Sequence, residues 1–124
     1  MQILLDMHSR IPIYEQIENE IALQVQRGIL KPNEQLPSLR QLSAQLSLNI
    51  NTVKRALGEL EAKGITYSVA GKGIFISPTA KAQNVYVQES MDAAEKAIRS
   101  AKNLGVSYEE LFKTLKSIYE EENT

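Results

Sequence analysis

Basic and amide side chains recur in the middle of the chain at spacings that suit a polyanion. Lys54 and Arg55 follow Asn51 within one turn of a helical pattern, and Lys72 stands between two glycines. Asparagine can pair with adenine edges, whereas arginine and lysine pair with guanine edges or with phosphates. Arg40 lies just inside another helical pattern, whose start offers free backbone N–H groups to an anion. These residue types predict contact with a nucleic acid, although a solvated helix face has much the same composition.

Charge is unevenly distributed along the 124 residues of the chain. There are 14 basic and 15 acidic side chains, yet residues 31–77 have a net charge of +3 between flanks of −2 each. A basic middle segment is typical of a polyanion-binding face, although statistical scatter gives similar values. Apolar residues make up 43% of the chain, which is enough for a globular core.

Enzyme and metal chemistry lack candidate residues. The chain has no cysteine, and its single histidine, His8, is interpreted as a solvated loop residue. A metal site built on thiolates or paired imidazoles and a thiol nucleophile are therefore excluded, and we predict no enzyme activity, no cofactor and no metal. The lack of cysteine fits a reducing compartment, and no signal peptide or membrane span is recognisable. We expect a cytoplasmic protein.

The pattern of apolar residues predicts an amphipathic first helix. Apolar side chains recur every four residues behind Pro12, which suits the first turn of a helix. The helix should end near Gly28. Glu18 and Gln24 are assigned to its polar side.

Two capping signals predict the next two helices. Ser38, with Gln41 three residues later, is a capping box at the start of a short second helix. A turn at Ser47 leads to Asn49, a favourable N-cap for a third helix that ends at Gly64.

A helical wheel divides the third helix into two faces. Within about 60° of Val53 lie the residues predicted to face the core, which are Ile50, Ala56, Leu57 and Leu60. The residues predicted to face outward are Asn51, Lys54, Arg55 and Gly58.

The period of the pattern changes after the third helix. Two short β-prone runs flank Gly71, Lys72 and Gly73 and predict a two-stranded hairpin with a glycine-rich tip. Beyond it, apolar stripes predict two more amphipathic helices, the second of which begins at a capping box formed by Ser107 and Glu110. The segment Glu120–Glu122 is predicted to be a solvated acidic end.

The order helix, helix, tight turn, helix, hairpin is that of a winged helix-turn-helix. We therefore predict a mainly α fold with a small β-hairpin. Residues 1–78 would form a winged helix-turn-helix DNA-binding domain, and residues 79–124 a two-helix C-terminal dimerisation segment.

Three runs within this order resemble the DNA-binding domain of the GntR family of regulators. They are GILKPNEQLPSLRQL at residues 28–42, NINTVKRAL at residues 49–57 and GKGIFI at residues 71–76. The short helical tail is similar to that of the YtrA-type branch of the family, in which this segment dimerises. Asn33 departs from the pattern, since the family often has glycine there, and Ile50 stands where many branches carry a basic residue or proline.

The resemblance implies a bacterial transcription regulator, usually a repressor, that binds a palindromic double-stranded DNA operator as a homodimer. A winged-helix protein-interaction module without DNA specificity is the alternative, and a small-molecule effector is left open. By motif position, the DNA-facing residues would be Ser38, Arg40, Asn49, Asn51, Thr52, Lys54, Arg55, Gly71, Lys72 and Gly73.

The tail helices are too short to be stable alone, and their apolar stripes need a partner. That partner is either the winged domain of the same chain or a second copy, and we favour the second copy because helix-turn-helix proteins commonly read two half-sites as two-fold dimers. The predicted interface residues are Met91, Ala94, Ile98, Tyr108, Leu111, Phe112, Leu115 and Tyr119.

Overall fold

A computed structural model describes residues 1–121 of the chain. The predicted acidic end therefore falls partly outside the described residues, at Glu122. The described part folds as five helices and one antiparallel hairpin. These elements are α1 (Ile13–Gln26), α2 (Leu39–Leu46), α3 (Ile50–Ala62), β1 (Thr66–Val69), β2 (Gly73–Ile76), α4 (Val85–Asn103) and α5 (Tyr108–Tyr119).

The predicted starts of α2 and α3 are formed by side-chain caps. Both bonds of the Ser38 capping box are present: the Gln41 backbone N–H donates to Ser38 Oγ at 3.1 Å, and the Ser38 N–H donates to Gln41 Oε1 at 2.9 Å. Asn49 Oδ1 accepts from the Asn51 N–H at 2.8 Å and caps α3. These caps fix the residues at which α2 and α3 begin.

Buried aliphatic side chains join the helices of the first half to the hairpin. Ile17 and Ile21 of α1 meet Val53 and Leu60 of α3, and Ile76 of β2 closes the same cluster. All five are almost completely buried. Ile50 departs from the wheel prediction because it is 45% exposed. It is the first residue of α3, and the buried face of the helix begins one turn later.

The described chain divides into two compact units, one spanning Met1–Tyr86 and the other beginning at Val87. The first unit extends past residue 78, where the sequence placed the end of the domain. Ala80 is buried, and the Asn84 side-chain amide donates to the Ala22 carbonyl of α1 at 3.1 Å. The residues after the hairpin are therefore tied to the first helix.

Two polar residues of α1 are buried, contrary to the sequence prediction. Glu18 is 4% exposed, and its carboxylate accepts a hydrogen bond of 2.7 Å from the Tyr86 hydroxyl and lies 4.0 Å from Lys63 Nζ. Gln24 donates to the Gln2 carbonyl at 2.7 Å. Both polar groups have partners supplied by segments distant in sequence, which an analysis of α1 alone does not detect.

The buried carboxyl of Glu18 makes stability depend on pH. Burial raises the pKa of Glu18 above its ordinary value of 4.5, against the opposing effects of the Tyr86 hydrogen bond and the Lys63 charge. A raised carboxyl pKa favours the folded state at low pH, and this contribution is lost as pH rises through the raised pKa.

We therefore expect Glu18→Gln to gain stability relative to the wild type as pH increases. Urea unfolding of both proteins between about pH 4 and about pH 7 measures the difference in unfolding free energy. The difference should move in favour of the variant with rising pH. A difference that moves toward the wild type would mean that the ion pair with Lys63 outweighs burial.

Candidate nucleic-acid interface

Helix α3 has one buried face and one exposed face. Val53, Ala56, Leu57 and Leu60 are buried against the core. On the opposite side Asn51, Lys54, Arg55 and Gly58 are exposed, and Thr52 is half-buried at the margin. The face that carries amide and cationic groups is therefore free to meet another molecule.

Arg55 is held in place by an aromatic ring of α1. Its guanidinium carbon lies 3.8 Å from the centroid of the Tyr14 ring, a close cation–π contact. The contact orients the guanidinium while the residue stays exposed. Arg55 thus has a structural partner in addition to its predicted role, and the sequence analysis did not identify this contact between α3 and α1.

The start of α2 combines a cation with free backbone donors. Arg40 is exposed at the second position of the helix. Ser38 Oγ accepts from Gln41, so its hydroxyl proton remains available to donate. Unpaired N–H groups and the helix dipole favour an anion at this end.

The side-chain oxygen of Asn49 caps α3 by accepting the Asn51 N–H. Its amide NH₂ still has two donors, and the residue is exposed. The predicted role of Asn49 at an interface is therefore restricted to donating hydrogen bonds.

The hairpin presents Lys72 at a tip of unusual backbone conformation. Gly71 has φ +73° and Gly73 has φ +129°, values that L side chains rarely adopt. Lys72 and Gly71 are exposed, and Gly73 is half-buried. The base of the hairpin is stiffened by Tyr67 and Phe75, whose rings stack with centroids 5.5 Å apart.

The second unit carries a separate apolar groove between α4 and α5. Its volume is about 490 Å³. Phe112 and Leu115 are each 53% exposed there, and none of the residues of α4 or α5 is buried. Six of the eight predicted interface residues line this groove, namely Ala94, Ile98, Tyr108, Leu111, Phe112 and Leu115.

The other two predicted interface residues lie apart from that groove. Met91, which is 65% exposed, lines a neighbouring groove of α4 together with Ala94 and Ile98. Tyr119 is 83% exposed near the end of α5. Most of the predicted interface residues thus lie along one groove, which is lined by the central part of α4 and by α5 from its first turn onward.

Neither metal-binding clusters nor membrane spans occur in the described part of the chain. Residues 1–121 contain no group of three acidic, histidine or cysteine side chains placed to hold a metal ion. Within the same residues, no helix combines the length and apolarity that crossing a bilayer requires.

Comparison with known proteins assigns the first unit to a family. The model for "Bacterial regulatory proteins, gntR family" matches residues 13–76, from the start of α1 to the end of β2. The chain belongs to this family. It is 37% identical over 94% of its length to the HTH-type transcriptional repressor YtrA of Bacillus subtilis, and the match covers 91% of that protein. These findings confirm the family resemblance seen in the sequence.

Solved structures confirm the predicted fold. A transcriptional antiterminator from Listeria monocytogenes is similar with a TM-score of 0.75 and 30% identity, over 97% of this chain and 91% of that chain. The DNA-binding domain of AraR in complex with operator ORX1 is similar with a TM-score of 0.55 and 28% identity, over 62% of this chain and 96% of that chain. The winged helix-turn-helix is thus the fold of the GntR-family unit, and the similarity to the antiterminator extends through the tail.

The departure at Asn33 has a conformational explanation. Asn33 adopts φ +64°, a left-handed conformation that glycine and asparagine tolerate best. Its Oδ1 also accepts a 2.8 Å hydrogen bond from the Tyr67 hydroxyl of β1. Asparagine at this position therefore keeps the backbone of a glycine and adds a tie to the hairpin.

Glycine at position 58 is expected to lower the free energy of unfolding, and it leaves the exposed face of α3 without a side chain at this point. A Cβ built at Gly58 meets nothing within 4 Å, and the residue lies on the exposed side of α3. Gly58→Ala should therefore raise the unfolding free energy by about 0.5–1 kcal/mol, as alanine is the better helix former.

We expect the same variant to bind operator DNA with unchanged or lower affinity, because the added methyl group would crowd the contact between α3 and the major groove of the DNA. Thermal unfolding and DNA titration measure the two effects separately. A lower melting temperature would contradict the assignment of Gly58 to an unstrained helical position.

Proposed function

We propose that this protein is a DNA-binding transcriptional repressor that holds a palindromic operator as a homodimer. The observation that carries the proposal is the division of α3, whose apolar face is buried while Asn51, Lys54 and Arg55 are exposed on the other. The similarity to the repressor YtrA and to an operator-bound domain supports this reading of the exposed face.

We assign three parts of the first unit to different contacts. The outward face of α3 enters the major groove, where Asn51 and Lys54 reach base edges or phosphates. The start of α2, with Ser38 and Arg40, binds a phosphate of the backbone. The hairpin is the wing, and Lys72 at its tip reaches a phosphate or the adjacent groove.

The groove of the second unit is assigned to dimerisation. Exposed apolar side chains such as Phe112 and Leu115 would be unfavourable in water, and a second copy of the same face covers them. A two-fold dimer then places two recognition helices on half-sites about 34–36 Å apart.

Membership in a family of bacterial regulatory proteins also bears on the compartment and on catalysis. A regulator that binds chromosomal DNA in a bacterium works in the cytoplasm, and we assign the protein to that compartment. We also propose that it has no enzyme activity, because the family consists of regulatory proteins and its candidate site is built for polyanion binding.

Selection of bound sequences from a random duplex pool tests the proposal. We expect enrichment of an inverted repeat whose half-site centres lie about one helical turn, or a multiple of it, apart. Affinity for the enriched duplex should fall steeply with salt, because several phosphates are neutralised. A pool without enrichment, bound weakly and independently of salt, would favour the protein-interaction module.

A further inference from the structure

The loop between α1 and α2 is hydrogen-bonded to β2 of the hairpin around an isolated antiparallel β-bridge. The Asn33 N–H donates to the Ile76 carbonyl at 2.8 Å, and the Leu36 N–H donates to the Ile74 carbonyl at 2.9 Å. The Ile76 N–H returns a 2.8 Å bond to the Glu34 carbonyl, and Gln35 pairs with Phe75 as a β-bridge. The backbone of Gln35 is therefore fixed against β2.

From this fixed position, the Gln35 side chain reaches the tip of the hairpin. Its Nε2 donates to the Lys72 carbonyl at 2.8 Å. The same nitrogen lies 2.7 Å from the point where a Cβ on Gly73 would stand, a distance that real Cβ atoms essentially never show. The carboxamide thus occupies a notch that exists because residue 73 is glycine.

The tip itself has few internal constraints. It contains two glycines, and the Lys72 N–H bonds to the Val69 carbonyl at 3.0 Å across the turn. Glycines leave the backbone many accessible conformations. The hydrogen bond from Gln35 therefore restricts the backbone conformations that Lys72 samples.

We propose that Gln35 is a positioning residue for DNA binding, which holds the Lys72 backbone so that its ammonium group is presented to the operator in one orientation. This inference rests on the proposed function, since it assigns Lys72 a contact with DNA. Gln35 acts through Lys72 and needs no DNA contact of its own.

The variant that isolates this role is Gln35→Met, which keeps the length of the side chain and removes the N–H donor. We expect operator affinity to fall by about threefold to tenfold, the range that a single hydrogen bond typically supplies. In a Lys72→Ala background the same change should have almost no effect, because the positioned group is already absent. The slope of log affinity against log salt should decrease by about one in either single variant.

A second measurement follows the tip without DNA. Hydrogen exchange at the backbone amides of residues 71–73 should be faster in Gln35→Met, whereas the melting temperature should stay close to that of the wild type. Gln88→Met replaces an exposed glutamine of α4 and should change neither exchange nor affinity.

The outcomes separate the inference from the function on which it rests. If Lys72→Ala binds the operator as tightly as the wild type, the wing assignment of the proposed function fails, and the inference fails with it. If Lys72→Ala weakens binding but Gln35→Met does not, or if the two losses add, the inference alone is overturned. Additive losses would mean that Gln35 contacts DNA directly.

Discussion

Phe112→Asp is expected to convert the protein to a monomer and to lower its affinity for a full operator by about 10²–10⁴-fold. Phe112 is 53% exposed and stacks on Tyr108 with ring centroids 6.1 Å apart, where both line the apolar groove between α4 and α5. In a dimer that closes over this groove, the aspartate would be buried without a partner, which is very costly in an apolar contact.

The loss follows from effective concentration and leaves the DNA-binding unit intact. The buried core of the first unit contains no residue from Val87 onward, so each recognition helix can still bind one half-site. Once the monomers separate, the second half-site is no longer presented at high local concentration. Affinity for a single half-site should therefore hardly change.

Sedimentation of the variant, with titrations on full and half operators, measures both effects. Ser117→Asp is the matched control, because it places the same charge on α5 at an exposed polar position outside the groove. A dimeric Phe112→Asp variant would contradict the interface assignment. A monomer that binds the full operator undiminished would show that recognition does not require dimerisation.

Local sequence signals predicted the elements of the fold well, since each depends on neighbours in the chain. The Ser38 capping box, the Asn49 cap and the turn at Ser47 act over four residues or fewer, and the structure has all of them. The buried face of α3 also followed from periodicity, apart from Ile50 at its first position. Elements of this kind can be predicted from one sequence because the interactions that define them join residues close together in the chain.

Contacts between distant segments were beyond the reach of the same reasoning. Glu18 looked like a surface residue until the fold brought Lys63 and Tyr86 to it, 45 and 68 residues along the chain. Gln35 had no motif of its own, and its role depends on a notch at Gly73. In each case a polar side chain meets a partner that only the tertiary structure supplies.

The DNA-facing residues named from the motif stay predictions, and the structure refines what each can do. Arg55 contacts the Tyr14 ring, so truncating it removes a cation–π contact of about 0.5–1 kcal/mol along with any DNA contact. Arg40, Lys54 and Lys72 are exposed, and none has a described side-chain partner that its removal would disrupt. These three residues therefore give the cleaner test.

The combined variant Arg40→Ala/Lys54→Ala/Lys72→Ala is expected to lose about a hundredfold or more in operator affinity, because each contact contributes about 1–3 kcal/mol if it reaches a base. Contacts to phosphate would instead lower the salt slope by about one each. The melting temperature should stay close to that of the wild type, since no buried group is altered. Titrations at several salt concentrations, together with thermal unfolding, measure these quantities.

A variant with the same change in net charge distinguishes a specific face from general electrostatic attraction. Lys81→Ala/Lys96→Ala/Lys113→Ala removes three exposed cations that lie outside α2, α3 and the hairpin. General attraction depends on net charge and would weaken both triple variants alike, whereas a localised interface loses affinity only when its own cations are removed. Equal losses in the two variants would mean that general electrostatic attraction, and not a localised face made by α2, α3 and the hairpin, supplies the affinity.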